Sequence, residues 1–154
     1  MIRSAVARWT GSPAIGEGLV STSSGVMSKA LYSFTSSVDN EPCTTPSEML
    51  AASIAACMSL ILVQEMAKLH LRHEHVETKA VLTVEENKGR WTIMKVDLHV
   101  TAALLEIDEE KFHRACRTAK LVCPISRALK VPVNVATTIE PVMRQREKTI
   151  LAAV

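Results

Sequence analysis

The chain has 154 residues, 47% of them hydrophobic and 22% charged, with a formal net charge of +2. That length and balance suit one globular domain with a real core and exclude a disordered chain. Scattered Lys and Arg and only five aromatic residues (Trp9, Tyr32, Phe34, Trp91, Phe112) exclude a basic nucleic-acid surface and a base-stacking platform.

In chain order, the first third reads as strands. "IRSAVARWT" carries β-branched residues and an aromatic and stops at the turn Gly11-Ser12-Pro13. Two more extended segments follow, on either side of Gly25. The polar loop 39–48 leads into a helix over about 46–70, with Thr45 as N-cap, Pro46 at N1 and Glu48 at N3, a capping-box pattern. The segment from His73 alternates as a strand, turns at Lys88-Gly89-Arg90, and alternates back from Trp91, which predicts a hairpin. Asp108 opens a second helix with its acids at the positive end of the dipole. Cys123-Pro124 interrupts that helix, a short helical stretch follows, and the segment around Val131–Pro141 is a last strand. The order βββ-α-ββ-α-β predicts an α+β fold in a single domain over 1–154.

The 46–70 helix is apolar nearly all round, which one sheet face cannot bury, so a subunit interface is expected along it. Glu48, Gln64, Glu65 and Lys68 argue against a bilayer span, and no membrane partner is expected. The N-terminus has no continuous apolar run of the secretory type. A cytoplasmic location follows as the expectation, and cytoplasmic thiols stay reduced unless they are catalytic or redox-sensing.

Four cysteines are present: Cys43, Cys57, Cys116 and Cys123. Cys43 lies in the loop and reads as an ordinary exposed thiol. Cys116 and Cys123 are seven residues apart, about 10 Å along one continuous helix, beyond disulfide reach, and Cys116 reads as a packing residue. Cys123 stands before a proline that can start a helix, where free N–H groups and the dipole lower a thiol pKa. Cys57 sits among alkyl side chains, where burial raises a thiol pKa, and by composition and spacing alone it reads as a core residue rather than a nucleophile. His70, His73 and His75 cluster in "HLRHEH", with His73 and His75 on one strand face. They are a metal candidate, set against a solvated connection, and no metal is expected.

The stretches "ARWTG" (7–11), "GLVSTSSGV" (18–26), "TTPSEMLAASIAACMSL" (44–60) and "AKLVCPISRALK" (119–130) resemble the OsmC/Ohr family, the osmotically inducible and organic-hydroperoxide-resistance proteins, and lie closer to the OsmC branch. The resemblance runs from the first strand to about residue 140, leaving 143–154 as an extra tail. It implies an intertwined homodimer with central helices packed between sheets. It also implies a thiol peroxidase. The equivalent of Cys57 attacks an organic hydroperoxide and becomes a sulfenic acid, and the equivalent of Cys123 resolves it as a disulfide. An external dithiol, a lipoyl group or another thiol, then reopens that disulfide. No cofactor is implied.

Family members activate the first cysteine with an arginine and a glutamate. Here Ser47 holds the glutamate position, with the acid displaced to Glu48, and Ser37 holds the OsmC-branch arginine position. Ser47 lies about 15 Å from Cys57 along the helix, so a partner at that position is expected from the other chain. Arg127, Arg8 and Lys29 are the alternative cations, each also readable as a surface charge. The rival reading is an OsmC-like protein with weak or no peroxidase activity that holds a hydrophobic or electrophilic small molecule at a dimer-interface pocket.

Overall fold

The computed structural model describes residues 1–34, 37–38 and 41–142, with the backbone alone at 37, 38, 41 and 141. The expected tail, 143–154, lies outside the described residues. The chain divides into two compact units, Met1–Leu50 and Ala51–Val154.

In the first unit, β1 (Ala5–Thr10), β2 (Glu17–Thr22) and β3 (Ala30–Tyr32) form an antiparallel sheet in the order β1-β2-β3. The β2–β3 connection turns through Gly25 at φ +76°, a conformation a side chain would resist. A small ladder that periodicity did not reveal follows: β4 (Ser37–Val38) pairs with β5 (Glu41–Pro42). Two residues per strand are too few for an alternation signal. Thr44 then hydrogen-bonds back to β3, its N–H to the Leu31 carbonyl at 3.0 Å and its carbonyl from the Ser33 N–H at 3.0 Å.

Helix α1 (Pro46–Lys68) starts as its sequence predicts. The Glu48 N–H donates to Thr45 Oγ1 at 3.1 Å, and the Thr45 N–H donates to Glu48 Oε2 at 2.9 Å. Its other end closes on His70 at φ +55°, with the Leu71 N–H reaching the Met66 carbonyl at 2.9 Å and the His70 N–H the Ala67 carbonyl at 3.0 Å. These are the two hydrogen bonds of a Schellman stop.

The second unit is built on a sheet of β6 (His73–Asn87), β7 (Arg90–Leu104) and β8 (Val133–Pro141). The β6–β7 hairpin turns on Lys88 (φ +52°) and Gly89 (φ +75°), the backbone a tight two-residue turn requires. Strand β8 runs parallel to β7, which needs a crossover, supplied by α2 (Glu109–Val122) and α3 (Pro124–Ala128). Asp108 caps α2, its carboxylate accepting from the Lys111 N–H at 3.0 Å.

Three periodicities meet in the core. From α1 come Ile54, Met58, Leu62 and Met66, four apart; from β7 come Val96, Leu98, Val100, Ala102 and Leu104, two apart; from α2 come Phe112, Ala115, Cys116 and Ala119. By length and composition α1 could cross a bilayer, yet this stripe is wholly withdrawn from solvent into a core. The opposite side of α1 is different. Ala52, Ala56, Leu60, Val63 and Ala67 form an exposed apolar stripe, with Leu60 68% exposed.

Candidate active site

The two cysteines singled out by the sequence lie together: Cys57 Sγ and Cys123 Sγ are 3.0 Å apart. Helix α1 presents Cys57 beside its buried stripe, next to Met58, leaving it half-buried. Cys123 occupies the junction of α2 and α3 and is fully buried. Its N–H closes α2 onto the Ala119 carbonyl at 2.9 Å, and its carbonyl accepts the Arg127 N–H at 3.0 Å. As the sequence predicted, it is the N-cap of a helix with proline at the first position.

The Cys123 sulfur is a cap acceptor, taking the Ser126 N–H at 3.5 Å. Ser126 Oγ is buried without a hydrogen bond of normal geometry, and lies where it would donate to a thiolate on Cys123. Burial is the largest influence on Cys123 and raises its thiol pKa. It is outweighed by the Ser126 hydroxyl, the Ser126 and Ile125 N–H groups and the Cys57 thiol, so the net direction is down. Cys57 moves the other way. Burial pushes it up, as do the hydrogen bond and charge of Cys123, and the Ile125 N–H offsets only part of this. Among the described residues, no lysine or arginine stands with the groups that shift either thiol.

The remaining candidates divide. Glu48 is exposed and its carboxylate is engaged in the cap of α1, with Thr44 Oγ1 also donating to it at 3.3 Å. Ser47 is half-buried in the first turn of α1. Ser37 pairs through its backbone with Pro42, and its side chain lies outside the described residues. Arg127 is exposed on α3, Arg8 on β1, and Lys29 in the β2–β3 connection at φ +51°. Ser126 was missed from sequence. The available signal was its place three residues after Cys123, the spacing at which a cap side chain meets a backbone N–H.

The other two cysteines are separate from this pair. Cys116 is buried, as expected of a packing residue, and burial pushes its thiol up to about 12. Cys43, expected to be exposed, is half-buried, because Thr44 ties its segment to β3. The histidines do not converge. His70 is the left-handed stop of α1, and His75 approaches Glu140 at 3.6 Å. The expectation that His73 and His75 share a strand face is corrected by a bulge between them. They pair with consecutive residues of β7, Leu104 and Ala103, which point to opposite faces.

The first unit carries an apolar cleft of about 340 Å³ lined by Trp9, Pro13, Tyr32, Ser33, Phe34 and Pro46. The Trp9 ring centroid lies 6.1 Å from that of Tyr32 and 6.3 Å from that of Phe34. Glycine permits this packing, since a Cβ on Gly18 would stand 2.7 Å from the Tyr32 ring.

The chain is similar to known proteins in sequence and in fold. A family described as OsmC-like protein matches residues 38–138. Peroxiredoxin OsmC of Escherichia coli is 30% identical over 128 residues, covering 83% of this chain and 90% of that protein. Among solved structures, the OsmC-like protein VCA0330 of Vibrio cholerae superposes with a TM-score of 0.75 at 19% identity, covering 90% of this chain and 99% of that one. An organic hydroperoxide resistance protein OsmC of Legionella pneumophila gives 0.66 at 19% identity, covering 89% and 96%. The α+β architecture is thus that of these structures, and the chain belongs to the OsmC-like family.

Proposed function

We propose that the protein is a thiol-dependent peroxidase of organic hydroperoxides, with Cys57 as the attacking thiol and Cys123 as the resolving one. The observation that carries this reading is the 3.0 Å approach of two sulfurs 66 residues apart in sequence. The names of its relatives, a peroxiredoxin and an organic hydroperoxide resistance protein, point the same way.

In the proposed cycle the Cys57 thiolate attacks the terminal oxygen of ROOH. The O–O bond breaks, ROH leaves after taking up a proton, and Cys57 becomes a sulfenic acid. The Cys123 thiolate then attacks the Cys57 sulfur, the S–O bond breaks, and the departing hydroxyl takes up a proton from solvent and leaves as water, forming a disulfide. An external dithiol returns two electrons and restores both thiols. The half-buried, alkyl-lined position of Cys57 favours organic peroxides over hydrogen peroxide. Thiols supply all the electrons, so the cycle needs no cofactor, and a reducing cytoplasm suits it. The exposed stripe of α1 supports a homodimer, since a chain that stayed single would leave Leu60 and Val63 in water.

One observation favours the rival reading. Among the described residues no cation stands with the groups that shift Cys57, and its thiol is pushed up rather than down. An OsmC-like protein without turnover would instead hold an apolar or electrophilic small molecule beside that thiol. Consumption of cumene hydroperoxide with dihydrolipoamide as reductant separates the two. Wild type should outpace Cys57→Ser by at least an order of magnitude. Equal slow loss with both proteins sinks the peroxidase reading.

A further inference from the structure

We propose that Ser126 is a positioning residue for Cys123: its N–H and buried hydroxyl hold the Cys123 sulfur as the departing anion, so an external thiol attacks Cys57. The proposal concerns the reductive half of the cycle above and takes its place in turnover from that reading.

Two geometric facts lead here. The first is access: in the single chain Cys57 is half-buried while Cys123 is fully buried, so the Cys123 sulfur cannot be reached without opening the core and Cys57 is the more open end of the pair. The second is the cap. The Ser126 N–H meets the Cys123 sulfur at 3.5 Å, and Ser126 Oγ is a buried hydroxyl without a hydrogen bond of normal geometry beside the neutral thiol. A buried hydroxyl in that condition is costly, and the cost is relieved when a full negative charge arrives on the adjacent sulfur. Access and charge stabilisation therefore select the same direction of cleavage.

The step balances as follows. An external thiolate attacks Cys57 Sγ, a new S–S bond forms to Cys57, and the Cys57–Cys123 bond breaks with its electron pair leaving on Cys123 Sγ. When the reductant is a dithiol, its second thiol loses a proton and attacks its own sulfur in the mixed disulfide. That releases the Cys57 thiolate and a cyclic disulfide, so the reductant is oxidised by two electrons and the protein reduced by two. Disulfide exchange favours the leaving sulfur with the lower pKa, which is the end that Ser126 supports.

The test forms the disulfide with diamide, so that it does not depend on peroxide turnover. Oxidised protein is treated with excess cysteamine, quenched with acid, alkylated with iodoacetamide and mapped by peptide mass spectrometry. The expected result is cysteamine on the Cys57 peptide and alkylation on the Cys123 peptide. Cysteamine chiefly on Cys123 overturns the proposal, as does failure of diamide to link the two sulfurs.

Ser126→Ala and Ser126→Thr supply the second arm. In a Cys43→Ser/Cys57→Ser/Cys116→Ala background, which leaves Cys123 as the one thiol, thiolate absorbance against pH should show the Cys123 titration moved upward by Ser126→Ala and returned by Ser126→Thr. With both cysteines present, reduction of the diamide-formed disulfide by dihydrolipoamide should slow in Ser126→Ala and recover in Ser126→Thr. A titration unmoved by Ser126→Ala overturns the assignment. Absence of peroxide turnover beside a moved titration would remove the peroxidase reading and leave Ser126 in place.

Discussion

Cys123 lies 3.0 Å from Cys57, but the two sulfurs have opposite surroundings: one caps a helix inside the core, the other stands half-open on α1. Two groups this close lose their protons as a pair, in two steps. The first proton should leave below the ordinary thiol value of 9.0 and the second above it, because N–H and hydroxyl donors favour charge at Cys123 while burial and the first charge oppose it at Cys57. Thiolate absorbance of the reduced Cys43→Ser/Cys116→Ala protein, which keeps only this pair, should therefore rise in two separated waves. A single wave at the ordinary value would contradict this pairing.

Glu48 offers a clean separation of structure from chemistry. Its carboxylate accepts the Thr45 N–H, a bond that Gln can replace and Ala cannot. Thr45→Ala should cost about 1 kcal/mol of stability by denaturant unfolding, through loss of the reciprocal bond. Glu48→Gln should retain both stability and peroxide consumption. A fall in turnover with Glu48→Gln at unchanged stability would assign the charge a catalytic part.

The apolar stripe Ala52, Ala56, Leu60, Val63 and Ala67 makes a prediction about assembly. Wild type should have the mass of a dimer by light scattering, and Leu60→Glu should shift it toward the monomer. Leu60 is 68% exposed in the single chain, so the substitution costs that chain little by itself. A wild-type monomer would remove the homodimer.

Cys116 gives the protein an alkaline weakness. Its folded thiol titrates at about 12 against an ordinary 9.0, because burial disfavours the thiolate. Since the folded value is the raised one, this contribution to stability is complete below pH 9 and is lost as pH climbs toward 12. Denaturant midpoints should fall over that window more steeply for wild type than for Cys116→Ala. Parallel slopes would show that the thiol does not contribute.

Much of the architecture was legible in advance because each signal was local. The Thr45–Glu48 cap needed four residues, the 88–90 turn needed Lys88-Gly89, and the strands of the hairpin declared themselves by alternation over more than ten residues each. Where a local rule failed, a non-local contact had intervened. The bulge after His73 put His75 on the other face, and the hydrogen bonds of Thr44 to β3 drew Cys43 out of solvent. The short β4–β5 ladder lies below the length at which alternation is readable.

The element types, the capping of α1, the N-cap position of Cys123 and the family resemblance that joined it to Cys57 were all legible in the residues alone. Those follow from residue types at fixed short spacings. Only the tertiary structure decided that the two sulfurs meet at 3.0 Å, that Cys123 is the buried one, and that Ser126 stands behind it. Helices α1 and α2 and strand β7 bury side chains in one core, Met58 and Phe112 among them, and no spacing along the chain encodes the distance that results.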